Sequence, residues 1–526
     1  MATLLGLALR LNDLGRIGLG SDEGHSAWMA ERPLAELPGL LAVDSAPPLY
    51  YVILHGWQLW FPSDTGLRWL SVLLGTAAVP VLYLIGRRLA GTAAGVAAAF
   101  FMAVSNFHIQ YSQMVKTYAL TFLLAQIALL ALLAACERPS RSGAWVLFGA
   151  ASAGVAYAHS VGPIIVVGLS CYGLLLLGWD LRHRWKPFAL AHLLMAGLYA
   201  PWLLVAIPQA RAVVGGFWAP VPTLMSPLQT TARFLVLSPF VPDAPRPLIP
   251  EARPGLTALP FMQGAIDNER GRTVWVLLPA LALLGGVGVA AAEPPLRRVL
   301  KLLAMVVVPV GILLAVSRLI GSVYLNRTLI PCLSVFVLFL ALPFAARGRL
   351  GGAAPPGSNS APQSVGWLRQ VARGVSAAAF VLMLATGYHF AEVRQLPSWR
   401  EAAAAVNAGA RTGEAIVYDA HVGQVTMERY LTGEGASLPA YGLPSGWYEG
   451  GAPTAGKWVR SESDLAPLKA AAASHPAIWF VRSHTTVHDE ADLGRRWCLD
   501  HLEKSAETRV VGIEVYRFES RSGASR

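Results

Sequence analysis

Residues 66–89 read GLRWLSVLLGTAAVPVLYLIGRRL. Beyond Arg68 the run stays apolar long enough to cross the ~30 Å hydrocarbon core of a bilayer as a helix. It stops at an arginine pair, Arg87 and Arg88. Basic residues at the end of an apolar span mark the cytoplasmic side. The same unit recurs down the chain. Apolar blocks fall at 92–106, 116–135, 144–160, 161–178, 188–207, 273–292, 299–317, 328–346 and 370–390, with a weaker one at 1–12. Basic residues gather between alternate blocks: Arg138 and Arg141; Arg182, Arg184 and Lys186; Arg297, Arg298 and Lys301; Arg347 and Arg349. The reading is a polytopic α-helical membrane protein of about eleven spans with every basic connector inside.

Composition points the same way. Of 526 residues, 54% are hydrophobic and 14% charged, whereas a soluble domain carries about a quarter charged residues. The net charge of +11 sits largely in the connectors. It therefore answers to topology, and no nucleic-acid partner is expected. Four cysteines, Cys136, Cys171, Cys332 and Cys498, show no CxxC or paired spacing, so neither a disulfide framework nor a cysteine metal site is indicated. With the connectors inside, the long loop 13–65 and the chain from 391 onward lie outside, which makes a multi-pass plasma-membrane protein with an extracytoplasmic C-terminus.

Some segments do not fit the simple pattern. The block at 1–12 has no basic flank, contains Arg10 and lacks a signal-peptide cleavage pattern. It reads as a tilted, frayed helix or as the continuation of an upstream segment. Residues 47–61, PPLYYVILHGWQLWF, are too short to span and read as a helix in the outer interface, anchored by Tyr50, Tyr51, Trp57 and Trp60. Residues 207–272 read as a proline-rich outer loop and 350–364 as a flexible inner linker.

From about 391 the composition changes, dividing a transmembrane domain (1–390) from a smaller one (391–526). Helical patterns near 400–410, through Tyr430, near 463–474 and near 490–503 alternate with strand-like EAIVYDA (414–420), AIWFVRS (477–483) and RVVGIEVYRF (509–518). That alternation predicts a C-terminal α/β domain.

The unusual polar residues collect on the outer side. They are Asp22 and Glu23 after the first span, Asp44 ahead of Pro47, and His108, Gln113, Lys116 and Tyr118 in the connector SNFHIQYSQMVKTYAL. His159 ends the fifth span and Arg327 opens the tenth. Polar groups at this depth are costly unless paired or functional. Each also has a plainer role. Ser21 reads as a helix N-cap with Asp22 and Glu23 in the first turn. Lys116 and Arg327 read equally as cations snorkelling to the interface.

In order along the chain these segments resemble the GT-C superfamily of membrane glycosyltransferases. They are most similar to glycosyltransferase family 39 and the rhizobial lipopolysaccharide transferases. They are more distantly similar to protein O-mannosyltransferases and the lipid A aminoarabinose transferase. The resemblance rests on Asp22-Glu23, on Ala46-Pro47-Pro48-Leu49-Tyr50-Tyr51, on Arg68 and on Gly86–Leu89. It continues through Tyr111–Tyr118, His159, Pro201-Trp202, Arg327 before Pro331, and Trp399-Arg400-Glu401. The chain departs from the pattern at Met114, where the family has glutamate, at Ala46 in place of histidine, and at Thr328 in place of tyrosine.

The resemblance implies an inverting glycosyltransferase that moves a sugar from a polyprenyl-phosphate donor to a hydroxyl of a glycan, lipid or protein acceptor at the outer membrane face. Asp22 is then the base, with Glu23 orienting it or binding the acceptor. Lys116 and Arg327 hold the lipid phosphate with His159. Asp44, His108, Gln113, Tyr118 and Arg68 complete the binding set. No cofactor and no metal is expected, because no His/Cys/Asp/Glu cluster has ligand spacing. A lipid or solute transporter or flippase is the rival reading. It accounts for the spans but not for polar residues confined to one edge, and no inverted halves are present in the sequence. A membrane-anchored binding protein working through 391–526 is a third.

Overall fold

The computed structural model describes residues 1–521 except Ser45, 138–141, 217–218, 236–268, 294–295, 347–362, 394–396, 446–458 and 485–487. The expected linker at 350–364 and most of the expected loop at 207–272 lie outside the described residues. The chain opens with α1 (Ala2–Leu11), and the loop expected at 13–65 carries α2 (Ser21–Glu31), α3 (Leu37–Val43) and α4 (Leu49–Gln58). There follow α5 (Asp64–Ala90), α6 (Thr92–Ala103), α7 (Asn106–Ser112), α8 (Tyr118–Glu137), α9 (Ser142–Ala158), α10 (Gly162–Leu177) and α11 (Leu181–Gly216). Then come α12 (Ser226–Leu235), α13 (Glu269–Ala292), α14 (Ala304–Leu319), α15 (Leu333–Ala341) and α16 (Gln363–Val393).

A helix stands at every block expected to span. Among the described residues, six helical stretches are long and apolar enough to cross a bilayer singly, and the bent pair α6–α7 makes a seventh. Four more apolar stretches, of 10–17 residues, lie in α1, α9, α10 and the second part of α13. Burial sorts the long ones. The stretch 326–344, which runs from a 3-10 turn into α15, is 89% buried, whereas 182–211 in α11 is 17% buried. An all-round apolar helix enclosed by its neighbours is the bundle's centre. One that shows most of its apolar surface faces lipid.

Basic residues of three connectors, at 87–88, 182–186 and 297–301, meet at one end of the bundle. Arg88 pairs with Glu137 at 3.5 Å. Arg298 donates to the carbonyls of Arg88 and Leu89 at 3.0 and 3.2 Å, Arg184 to that of Cys136 at 2.8 Å, and Lys301 to that of Leu175 at 2.7 Å. Each cation satisfies carbonyls that a helix C-terminus leaves without partners. The candidate site residues lie at the opposite end.

Two expectations are corrected. Arg10 does not mark a frayed helix: it is buried where α6 breaks into α7 at 58°. Its guanidinium donates to the carbonyls of Gly6, Ala103 and Met102 at 2.8, 3.2 and 3.3 Å. Nor does α4 float in an interface on its tyrosines. Tyr50, Tyr51 and Leu54 are buried in the protein, and Tyr50 shares a hydrogen bond with Ser71 of α5 at 3.0 Å. Only its far end, with Trp60 81% exposed, keeps the expected character.

The C-terminal domain is a five-stranded sheet of order β2-β1-β3-β5-β4. The strands are β1 (Ala415–Tyr418), β2 (Ala440–Gly442), β3 (Ala477–Ser483), β4 (Leu502–Val510) and β5 (Ile513–Ser520). β1 pairs parallel with β2 and β3, and β5 pairs antiparallel with β3 and β4. Period-two alternation sends Ile416, Trp479 and Val515 to one face, beneath α17 (Trp399–Gly409). Val417, Phe480 and Phe518 go to the other, beneath α19 (Ala466–Ser474) and α20 (Leu493–His501); α18 (Gln424–Glu428) lies between β1 and β2 in the chain. The single strand expected at 509–518 is instead two strands turning at Gly512, whose φ of +71° suits the tight turn.

Candidate active site

Helix α2 reads SDEGHSAWMAE, with few apolar side chains to seat it. Ala27, Met29 and Ala30 bury its second half, and polar contacts hold its first turn. Its N-cap is Gly20 rather than the expected Ser21, and Glu23 reaches back to the Gly20 N–H at 3.0 Å. Glu23 is fully buried and forms a two-pronged ion pair with Arg68 of α5, Nε to Oε1 at 2.8 Å and Nη2 to Oε2 at 2.7 Å. The Val115 N–H also bonds Oε1, at 3.1 Å. Arg68 spends its other donors on the carbonyls of Leu14, Ile17 and Gly18, at 2.7–2.9 Å. All five guanidinium N–H groups are thereby used. Both residues, expected at the chemistry, lie in a sealed girder that shapes the loop before α2.

Asp22 points the other way. Its side chain is 46% exposed, and Arg327 Nη2 stands 3.9 Å from Oδ2. Burial would raise the Asp22 pKa. Lys116, Arg327, His25 and His484 together overcome it and hold the carboxyl below its ordinary value of 3.8. Asp22 is therefore an ionised carboxylate between cations. The Lys116 ammonium makes no hydrogen bond to a described residue, so among the described residues its donors remain available. His159 follows α9, and its Nδ1 accepts from the Val161 N–H at 3.1 Å. A ring nitrogen that accepts is unprotonated, so any donor His159 presents is a neutral Nε2–H. The Tyr118 ring lies against Tyr111 and His159, at 4.8 and 5.9 Å between centroids.

The remaining expected residues sit further back. Asp44 is 3.1 Å from His25 Nε2, one side chain behind Asp22. His108 is buried against Arg10, whose Nη2 is 2.8 Å from Nδ1, and Gln113 donates to the carbonyls of Arg10 and Asn12 at 3.0 and 2.9 Å. Those two bind the protein's own first helix. Among the described residues, no group of three or more His, Cys, Asp or Glu side chains is placed to hold a metal ion.

One residue near the site was not anticipated. His484 follows β3 at the carboxyl edge of the parallel strands, with φ +54°, and faces Asp22 closely enough to stabilise its charge. Burial lowers its own pKa, with Asp22 opposing. The one signal available in the sequence was its position just past a parallel strand, where open α/β sheets place ligand groups.

The sequence model of the family described as dolichyl-phosphate-mannose-protein mannosyltransferase matches residues 44–205. No curated protein matches the chain significantly. Solved structures do. ArnT from Cupriavidus metallidurans, bound to undecaprenyl phosphate, is 15% identical, with 100% of this chain and 98% of that chain covered and a TM-score of 0.56. The archaeal oligosaccharyltransferase AglB from Archaeoglobus fulgidus, in complex with an inhibitory peptide and a dolichol-phosphate, is 13% identical, with 100% and 74% covered and a TM-score of 0.52. At these identities the likeness is one of fold.

Proposed function

We propose, for a chain that has the fold of the GT-C membrane glycosyltransferases, that it transfers a sugar with inversion from a polyprenyl-phosphate donor to a hydroxyl acceptor at the outer face of the membrane. The observation that carries this is the ionised, half-exposed Asp22 set between Lys116 and Arg327. A hydroxyl that attacks a sugar must lose its proton, and Asp22 is the group able to take it. As the acceptor oxygen bonds the anomeric carbon, the bond from that carbon to the phosphate oxygen breaks. The polyprenyl phosphate leaves with one more negative charge. Lys116 and Arg327 are fixed cations for that charge, with His159 and Tyr118 as neutral neighbours. A single displacement inverts the anomeric centre. Donor phosphate neutralises the two cations that hold the Asp22 pKa down, so its binding makes Asp22 a stronger base. No metal or other cofactor enters this scheme.

The sidedness is part of the same proposal: basic connectors in the cytoplasm, Asp22 and the C-terminal domain outside. An impermeant thiol reagent on intact cells should label a cysteine placed at 503, on the exposed strand β4, and spare one placed at 87; the reverse pattern overturns the topology. The chemistry is tested with purified protein and a panel of polyprenyl-phosphate sugars, scored for release of polyprenyl phosphate. Asp22→Asn keeps the shape but cannot take the proton, and kcat should fall by about 100-fold or more. Near-wild-type turnover in that variant would refute the assignment.

A further inference from the structure

The C-terminal domain does more than sit over the site. The Trp399 indole N–H donates to Ser21 Oγ at 3.1 Å, and Thr426 Oγ1 donates to the Ser21 carbonyl at 3.3 Å. Ser21 is the residue before Asp22, and Glu23, the residue after it, is locked to Arg68. The candidate base is thus held on one side by the membrane domain and on the other by the C-terminal domain. Both contacts are close. A Cβ on Gly24 of α2 would lie 2.1 Å from Thr426 Oγ1, and a Cβ on Gly423 would lie 1.9 Å from Cη2 of Trp399. Only glycine at each position leaves room. Trp399 is fully buried.

The docking is anchored nearby at Asp64, the first residue of α5. Its carboxylate accepts from Tyr430 Oη at 2.6 Å, Arg400 Nη2 at 3.0 Å and Arg429 Nε at 3.1 Å. Tyr430 Oη also accepts from the Leu19 N–H at 2.7 Å, and Arg429 pairs with Glu31 at the far end of α2. Groups from the C-terminal domain therefore grip α2 at its first and last residues and the loop that feeds it. Ala27, Met29 and Ala30 seat the second half of α2 in the core, but its first turn, Ser21 to Gly24, has no apolar side chain, so these polar contacts decide where that turn points.

We propose that Trp399 and Thr426 are positioning residues for the transfer reaction. They act through Ser21 to fix Asp22 between Lys116 and Arg327, and the C-terminal domain is thereby an obligatory part of the active site. This rests on Asp22 being the base. A base displaced by a fraction of an ångström loses rate rather than donor affinity, because alignment counts at the transition state.

The test uses the full-length purified protein and the polyprenyl phosphate release assay on Trp399→Phe, Ser21→Ala, Thr426→Val and the Trp399→Phe/Ser21→Ala double variant. Trp399→Phe keeps a ring and loses the donor; Ser21→Ala loses the acceptor. Each single change should lower kcat per folded molecule by about tenfold with donor KM within about twofold. The double variant should be no slower than the slower single, since both remove one interaction. If Trp399→Phe does not fold, Ser21→Ala and Thr426→Val carry the same expectation. Wild-type kcat in those variants, beside an active wild type, overturns this proposal alone; so does a double variant whose losses multiply. A wild type that releases no polyprenyl phosphate from any donor overturns the transferase reading and this proposal with it.

Discussion

Changing Glu23 to Gln separates a structural acid from a catalytic one. The two Glu23 oxygens accept four hydrogen bonds, from Arg68 Nε, Arg68 Nη2, the Val115 N–H and the Gly20 N–H. A glutamine oxygen can accept two of these. Its NH2 group then faces two donors, and Arg68, 2% exposed beside a fully buried acid, loses its counter-charge. Breaking a buried ion pair by removing one partner costs about 3–5 kcal/mol, a large fraction of the roughly 5–15 kcal/mol that ordinary proteins have in reserve. The loop from Leu14 to Gly18, which hangs on Arg68, should loosen with it. We therefore expect Glu23→Gln to lower the yield of monodisperse protein in detergent and its unfolding temperature, with activity falling in proportion to folded protein. Fluorescence-detected size exclusion and a thermal-shift curve measure the first, and turnover per folded molecule the second. A variant of wild-type stability with turnover reduced about 100-fold would refute the argument and place Glu23 in the chemistry.

Other expectations follow from the same geometry. Lys116→Ala should weaken donor binding by about tenfold to hundredfold, the loss of one charge-assisted hydrogen bond, and should also lower kcat as the leaving charge develops; unchanged donor KM would remove Lys116 from the phosphate site. Because the free-enzyme carboxyl of Asp22 lies below 3.8, kcat/KM should show no acid-side loss between pH 5 and 7, and any acid limb in kcat should lie at higher pH than that in kcat/KM; an acid limb near pH 6.5 in kcat/KM would assign the base elsewhere. In the C-terminal domain, burial and then Asp489 push Asp419 up to about 7 despite Arg482 at 3.4 Å. An acid whose folded pKa lies above its unfolded value stabilises the fold at low pH and loses that contribution as pH rises through about 7. Wild-type protein should thus lose about 3 kcal/mol between pH 5 and 8 that Asp419→Asn does not lose, read from thermal unfolding at the two pH values; parallel curves for the two proteins would contradict it.

The spans were legible because a bilayer demands long, uninterrupted apolar runs, and basic residues mark their ends. Elements governed by other forces were less visible. The start of α2 was readable from its acidic first turn, but the way that turn is held was not, because it is fixed by hydrogen bonds from residues hundreds of positions away. Strand β4, LEKSAETRV, is an exposed edge strand whose alternation is hidden under charges on both faces. Edge strands carry such charges to discourage pairing with other chains, and the same charges hide them from a reading based on hydrophobic periodicity.

The site shows a sharper limit. Asp22 and Glu23 are adjacent carboxylates, equivalent by composition and by place in the first turn of α2. A helix turns about 100° per residue, so neighbours must face different surroundings. One meets Arg68 in a sealed interior and the other Lys116 and Arg327 beside an open face. Which is which depends on the helix's rotation about its axis, and that rotation is set by Arg68 on one side and by Trp399 and Thr426 on the other. Those partners lie 45, 378 and 405 residues from the groups they hold. The acidic pair was therefore readable as a pair. The division of labour within it belongs to the packed whole, and Arg68 meets the same limit: an arginine that serves substrate and one that serves a neighbouring acid look alike until the acid's direction is known.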